Sequence, residues 1–205
     1  MSAAAAAPRR IGMFGGAFDP PHLAHVALAR AAVEQLALDE LRVFPTGQAW
    51  HKARALSANA DRLAMSRIAF ADVPRTVVDA RELERSGPTY TVDTLRELRR
   101  EHPQAELLLV IGADQAESLH LWHDSAEIAR LATIAIAERA RPAMAPVPFD
   151  ASQVPGGHWR PVELPPMPVS ATEIRARVAR AEGIAHLVPD GVARYIDQNH
   201  LYRTT

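Results

Sequence analysis

Cysteine is absent from the chain, which excludes a disulfide scaffold, a thiol nucleophile and a thiolate zinc centre, and suits a reducing compartment. An excess of one charge is missing too. The 23 Lys and Arg stand against 24 Asp and Glu, a formal net charge of −1. No global field therefore draws the protein to nucleic acid or to a membrane surface, and any anion recognition has to be local. No run approaches the roughly 18 consecutive apolar residues of a membrane-spanning helix. Met1-Ser2, five alanines and Pro8-Arg9-Arg10 superficially resemble an export signal. In a signal peptide, however, charge precedes a long apolar stretch, whereas here it follows a short one. Residues 1–8 read as a frayed start on a cytoplasmic protein.

What is present is ordinary for a globular domain. The chain has 205 residues, 48% of them hydrophobic and 23% charged, enough to bury roughly 70% of the unfolded surface in one core. Short apolar runs alternate with helical patterns. Strands are expected at Arg10–Phe14, ending at Gly15-Gly16, and at Leu41–Phe44, Thr76–Val78, Leu107–Ile111, Ala132–Ile136 and Trp159–Leu164. Helices are expected from Leu23 to Leu36, Asn59 to Phe70, Thr91 to His102, Thr172 to Ala181 and Asp190 to Gln198. The continuous apolar character of Leu107–Ile111 and Ala132–Ile136 suits strands covered on both faces. The alternation predicts an α/β fold. Its core would be a single Rossmann-like, doubly wound parallel sheet, with helices on both faces and C-terminal helices. Between Arg141 and Pro168 lie eight of the sixteen prolines. Residues 141–157 are expected to be an irregular loop within one domain spanning 9–205.

In such a sheet, ligands bind outside the carboxyl ends of the strands. The segment after the first strand, Gly15-Gly16-Ala17-Phe18-Asp19-Pro20-Pro21-His22-Leu23-Ala24-His25, is therefore the first candidate site. Its glycines allow close backbone approach and positive φ. Asp19 before Pro20 reads as an N-cap with proline at N1. A helix starting there presents N–H groups and a positive dipole end to phosphate, with His22 and His25 three residues apart on one face. Each feature also has a plain structural reading: a turn, a cap, two surface histidines. The combination within eleven residues is what singles the segment out. Ser170, with Glu173 three residues on, has the spacing of a capping box at the start of a later helix.

The run from Gly15 to His25 resembles the G-G-x-F-D-P-x-H-x-G-H signature of bacterial nicotinate-nucleotide adenylyltransferases, in the wider H-x-G-H nucleotidyltransferase superfamily. Further blocks resemble the same family in order. Trp50-His51-Lys52 is similar to its P-H-K, and Thr89-Tyr90-Thr91-Val92-Asp93-Thr94-Leu95 to its S-Y-T-x-D-T-L. Ile111-Gly112-Ala113-Asp114 with Leu119 and Trp122 is similar to its I-G-x-D…L…W block, and Val169 to Arg175 to its I-S-S-T-x-I-R. Ala24, Trp50 and Ala171 stand where the family has glycine, proline and serine. The methyl group of Ala24 slightly narrows backbone approach to a nucleotide and removes no charge or donor.

The resemblance implies transfer of the adenylyl group of ATP to nicotinate mononucleotide, with Mg2+ carried on the phosphates rather than by dedicated protein ligands. It assigns His22, His25, Lys52 and Arg175 to catalysis, and Gly15, Gly16, Phe18, Ser170 and Thr172 to ATP and its phosphates. Tyr90, Thr91, Asp114 and Trp122 fall to the nicotinate nucleotide. His120 and His123, beside Trp122, read as surface residues. The rivals are an adenylyltransferase acting on nicotinamide mononucleotide or phosphopantetheine, a non-catalytic nucleotide-binding module, and a dehydrogenase. The last lacks the G-x-G-x-x-G it would need after the first strand. ATP and nicotinate mononucleotide are the expected partners, with no nucleic acid and no membrane.

Overall fold

A computed structural model describes residues 7–48, 55–139 and 157–203. Lys52, His51, Trp50 and nearly all of the proline-rich 141–157 segment lie outside these residues. Among them, six strands form one all-parallel sheet: β1 (Arg10–Gly16), β2 (Glu40–Pro45), β3 (Thr76–Val78), β4 (Glu106–Gly112), β5 (Thr133–Arg139) and β6 (Trp159–Leu164). Their order is β3-β2-β1-β4-β5-β6. The chain winds outward from β1 to β3, then returns to lay β4 against the free side of β1. That reversal leaves a crevice above the carboxyl ends of β1 and β4.

The expected burial on both faces is present, and alternation along each strand sorts the side chains. Phe14, Leu108, Val110, Ala135 and Ala137 point to one face, beneath α1 (Leu23–Gln35), α2 (Asn59–Phe70), α7 (Ala171–Ala179) and α8 (Asp190–Gln198). Ile11, Met13, Leu107, Leu109, Ile111, Ile134 and Ile136 point to the other, beneath α4 (Thr91–Glu101), α5 (Ala113–Glu117) and α6 (Ser125–Leu131). α4 shows why such a segment folds this way. Val92, Leu95 and Leu98 recur at helical spacing and are fully buried, while Arg99 and Arg100 occupy the last turn and suit its dipole. No helix among the described residues is long and apolar enough to cross a membrane.

Three local expectations are corrected. β1 does not stop before the glycines but pairs through Gly15↔Phe44 and Gly16↔Pro45. Neither glycine takes a positive φ; the turn is made at Phe18, with φ 45°. Asp19 is not the helix cap, because Pro20 and Pro21 precede a helix whose N-cap is His22. The short α5, α6 and α3 (Arg81–Glu84) were not expected, being too short to show a helical period.

Candidate active site

Two cavities open over the crevice and share the strip Gly15-Gly16-Ala17. The larger, about 710 Å³, is lined by His22, His25, Asp114, Ser170, Thr172 and Arg175 among others. The smaller, about 300 Å³, is largely apolar and lined by Tyr90, Thr91 and Trp122, with Glu82, Thr89 and His123. The fold thus brings together every described residue assigned from sequence. One falls on the other side from expectation: Asp114, in the first turn of α5, faces the larger cavity rather than the aromatic one.

The glycines serve by being small. A Cβ on Gly16 would sit 2.9 Å from the Phe18 ring, whereas one on Gly15 would meet nothing within 4 Å and would project into the space the cavities share. Phe18 is itself a core residue, 2% exposed, packed edge-on against Phe14 and Phe70. Its ring also supports His25, at 5.1 Å and 81°. His25 also stacks on His22 at 3.7 Å and 21°. The backbone N–H of His22 donates to His25 Nδ1 at 3.2 Å. A nitrogen that accepts carries no proton, so this bond places the neutral ring's N–H at Nε2. His22 is buried, and burial pushes its imidazole down to about 4; it is neutral at physiological pH. Helix α1 offers fewer N–H groups than its position suggests, because Leu23 N–H already donates to Leu187 O at 3.0 Å.

Across the larger cavity, Ser170 caps α7, its Oγ accepting from Glu173 N–H at 3.2 Å. The reciprocal half of the capping box is absent, because Glu173 pairs with Arg177 instead. Arg175 donates to Asp19 O at 2.8 Å and to Thr172 Oγ1 at 3.2 Å, tying α7 to the segment after β1. Asp19, 2% exposed, accepts from Tyr202 Oη at 2.6 Å and from Ser57 N–H at 3.3 Å. Beside it lies Arg62, 1% exposed. Its guanidinium donates to the carbonyls of Ala17, Thr46 and Ser57 and to Asn59 Oδ1, at 2.6–3.1 Å. One buried arginine therefore joins the loops after β1 and β2 to the start of α2. Sequence reasoning missed it, since an arginine on a helix normally reads as a solvated face.

The aromatic cavity holds two more residues that the sequence did not flag. The His123 ring, half exposed, lies over Tyr90 at 4.3 Å and 32°. Glu82, 3% exposed, accepts from Thr94 Oγ1 at 2.7 Å; burial pushes its carboxyl up to about 7 against the Thr94 bond and the Arg85 charge. Folding thus raises Glu82 from 4.5, so its contribution to stability is complete below that pH and is lost as pH rises through about 7. For His22 the order is opposite: stability is lost as pH falls from 6.5 towards about 4. The two slopes offset each other in the window they share. Glu82→Gln removes one of them, so the variant gains on the parent by up to about 3 kcal/mol between acid and slightly alkaline pH. Urea unfolding across that range reads the gain; a constant difference would contradict it.

Among the described residues, no group of three or more His, Asp or Glu side chains is placed to hold a metal ion. Donors instead surround the larger cavity: imidazoles, a guanidinium, hydroxyls and a helix start. Such a set stabilises charge spread over phosphate oxygens.

A doubly wound sheet with this donor set at its reversal defines a nucleotidyltransferase, and the family model described as cytidylyltransferase-like matches residues 13–177. Within that class, the chain belongs to the nicotinate-nucleotide adenylyltransferase family. A relative from Albidiferax ferrireducens, named "Probable nicotinate-nucleotide adenylyltransferase", is 54% identical over 96% of this chain and 99% of its own. A Streptomyces coelicolor relative of the same name is 43% identical over 92% and 98%. The fold is shared with Plasmodium falciparum nicotinic acid mononucleotide adenylyltransferase complexed with NaAD, at TM-score 0.76 and 19% identity over 95% of this chain and 97% of that one.

Proposed function

We propose that the protein transfers the adenylyl group of ATP to nicotinate mononucleotide, forming nicotinate adenine dinucleotide and pyrophosphate in NAD biosynthesis in the cytoplasm. The observation that carries this reading is the meeting of a phosphate-suited cavity with an aromatic one over Gly15-Gly16-Ala17. ATP occupies the first and the pyridine ring the second, so the acceptor phosphate and the α-phosphate face each other across the shared strip. The acceptor phosphate oxygen attacks the α-phosphorus in line, and the bond to pyrophosphate breaks. The nucleophile is already an anion, so the site needs no strong base; it needs positioning and charge stabilisation.

His25 donates Nε2–H to the oxygens on which charge develops, and His22 supports it against the ATP phosphates. Ser170, Thr172 and the start of α7 receive the β- and γ-phosphates, and Arg175 takes the leaving pyrophosphate. Lys52 adds a mobile positive charge. Gly15 and Gly16 allow close approach, while Phe18 contributes through its backbone and by supporting His25. Tyr90 and Trp122 pack against the pyridine, and the N–H groups that open α4 at Thr91 face its carboxylate. Asp114 serves a ribose hydroxyl or a water of the magnesium that enters with ATP. Mass analysis of the product tests this reading: nicotinate adenine dinucleotide is expected, in step with pyrophosphate.

Arg175 offers a sharper test of the phosphate side. Lysine keeps the charge but loses the planar fork. Arg175→Lys should cost about 1–3 kcal/mol of transition-state stabilisation, the worth of a charge-assisted hydrogen bond. Equal kcat/KM for the two proteins would reduce Arg175 to a tether between α7 and Asp19.

A further inference from the structure

Of the buried side-chain polar atoms among the described residues, two have no hydrogen-bond partner in the protein: His22 Nδ1 and Thr89 Oγ1. Each belongs to a residue lining one of the two cavities. Buried polar groups are normally satisfied, and leaving one unpaired is costly, so an unpaired atom at a cavity points to what the cavity receives. His22 belongs to the phosphate site described above. Thr89 has no role there.

Thr89 is 7% exposed and lies one residue before the Tyr90 cap of α4. Its backbone is fixed, its N–H donating to Gln48 O at 3.2 Å. Gly47 passes so close that a Cβ there would lie 2.8 Å from Thr89 Oγ1 and 2.1 Å from Glu82 O. A nearby hydroxyl shows that the neighbourhood can satisfy such a group. Thr94 Oγ1, also buried, donates to Glu82 at 2.7 Å and accepts from Arg85 at 2.8 Å. Thr89 Oγ1 is given no such pair. A threonine hydroxyl rotates to donate or to accept, so it suits a carboxylate or hydroxyl oxygen of a ligand.

We propose that Thr89 is a substrate-binding residue whose hydroxyl bonds an oxygen of the mononucleotide in the aromatic cavity. The protein leaves it unpaired until that substrate enters. This rests on the reading of the aromatic cavity as the mononucleotide site.

The test uses the whole chain with Thr89→Val, which exchanges the hydroxyl for a methyl of the same shape, and Thr89→Ser, which keeps the hydroxyl. Calorimetric titration with nicotinate mononucleotide, without ATP, should show the Val variant binding about tenfold more weakly, one hydrogen bond's worth. Its KM for ATP should stay within about twofold, and its Tm should match or exceed the parent's, because an unpaired buried hydroxyl has been removed. The Ser variant should bind within about threefold of the parent. If the parent binds the mononucleotide and the Val variant binds it equally well, the proposal is overturned. It is overturned equally if Val weakens both substrates alike and lowers Tm, which would mark a packing role. A parent that does not bind nicotinate mononucleotide would instead overturn the substrate reading on which the proposal rests.

Discussion

Replacing His25 with alanine is expected to lower kcat by about 10²–10⁴-fold while the fold stays intact. The size of the effect follows from how the ring is held. His22 N–H occupies Nδ1, the His22 ring stacks on His25, and the Phe18 ring packs edge-on against it. The Nε2–H is therefore oriented before substrate arrives and costs little reorganisation when charge develops, which is where preorganised donors gain most. The fold should survive because His25 lies in the first turn of α1, where alanine is a good helix former. Circular dichroism and Tm beside steady-state kinetics check both halves. A folded variant with near-parent kcat would remove His25 from the chemistry. His22→Ala should be comparable in size, with part of the loss in KM for ATP.

The second large effect concerns the acceptor. Nicotinate mononucleotide should be used with kcat/KM at least about 10²-fold above nicotinamide mononucleotide. The first two N–H groups of α4, those of Thr91 and Val92, have no backbone acceptor and lie at the positive end of the helix dipole, whereas Asp93 N–H already donates to Tyr90 O at 3.2 Å. They can only donate. A carboxylate accepts with both oxygens, whereas an amide sets its NH₂ against donors and leaves groups unpaired. Glu82 does not undo this preference. With its carboxyl raised to about 7, a large share is neutral near that pH, and a ligand carboxylate meets less like charge. Trp122→Ala should weaken both acceptors alike and leave the ratio between them largely unchanged. A parent ratio near one would overturn the acid preference and leave adenylyl transfer standing.

Much of the fold is legible in the sequence because burial on two faces leaves a strong signature. The β6 strand and the α2 and α8 helices fall where hydrophobic pattern and flanking residues place them. The candidate site is legible where its residues are adjacent in sequence, as from Gly15 to His25. It is not legible where distant residues complete it. Nothing local in Tyr202 announces a bond to Asp19, 183 positions away. Arg62 looks like a charge on a solvated helix and nothing local marks Glu82, and only their partners from other segments explain their burial. Asp19-Pro20 misleads for a physical reason: aspartate before proline is a strong start signal, yet this carboxylate bonds to Tyr202 and Ser57 rather than to the helix. Thr89 is invisible for a different reason, since an unpaired hydroxyl shows only once its surroundings are known.

Pyrophosphate release, followed with MgATP and each of nicotinate mononucleotide, nicotinamide mononucleotide, phosphopantetheine or no acceptor, separates adenylyl transfer to nicotinate mononucleotide from its rivals in one assay. Release should be rapid only with nicotinate mononucleotide, slower by about 10²-fold or more in kcat/KM with the amide, and at background with phosphopantetheine or with no acceptor. Release driven best by phosphopantetheine, or by no acceptor at all, would rule out nicotinate mononucleotide as the adenylyl acceptor.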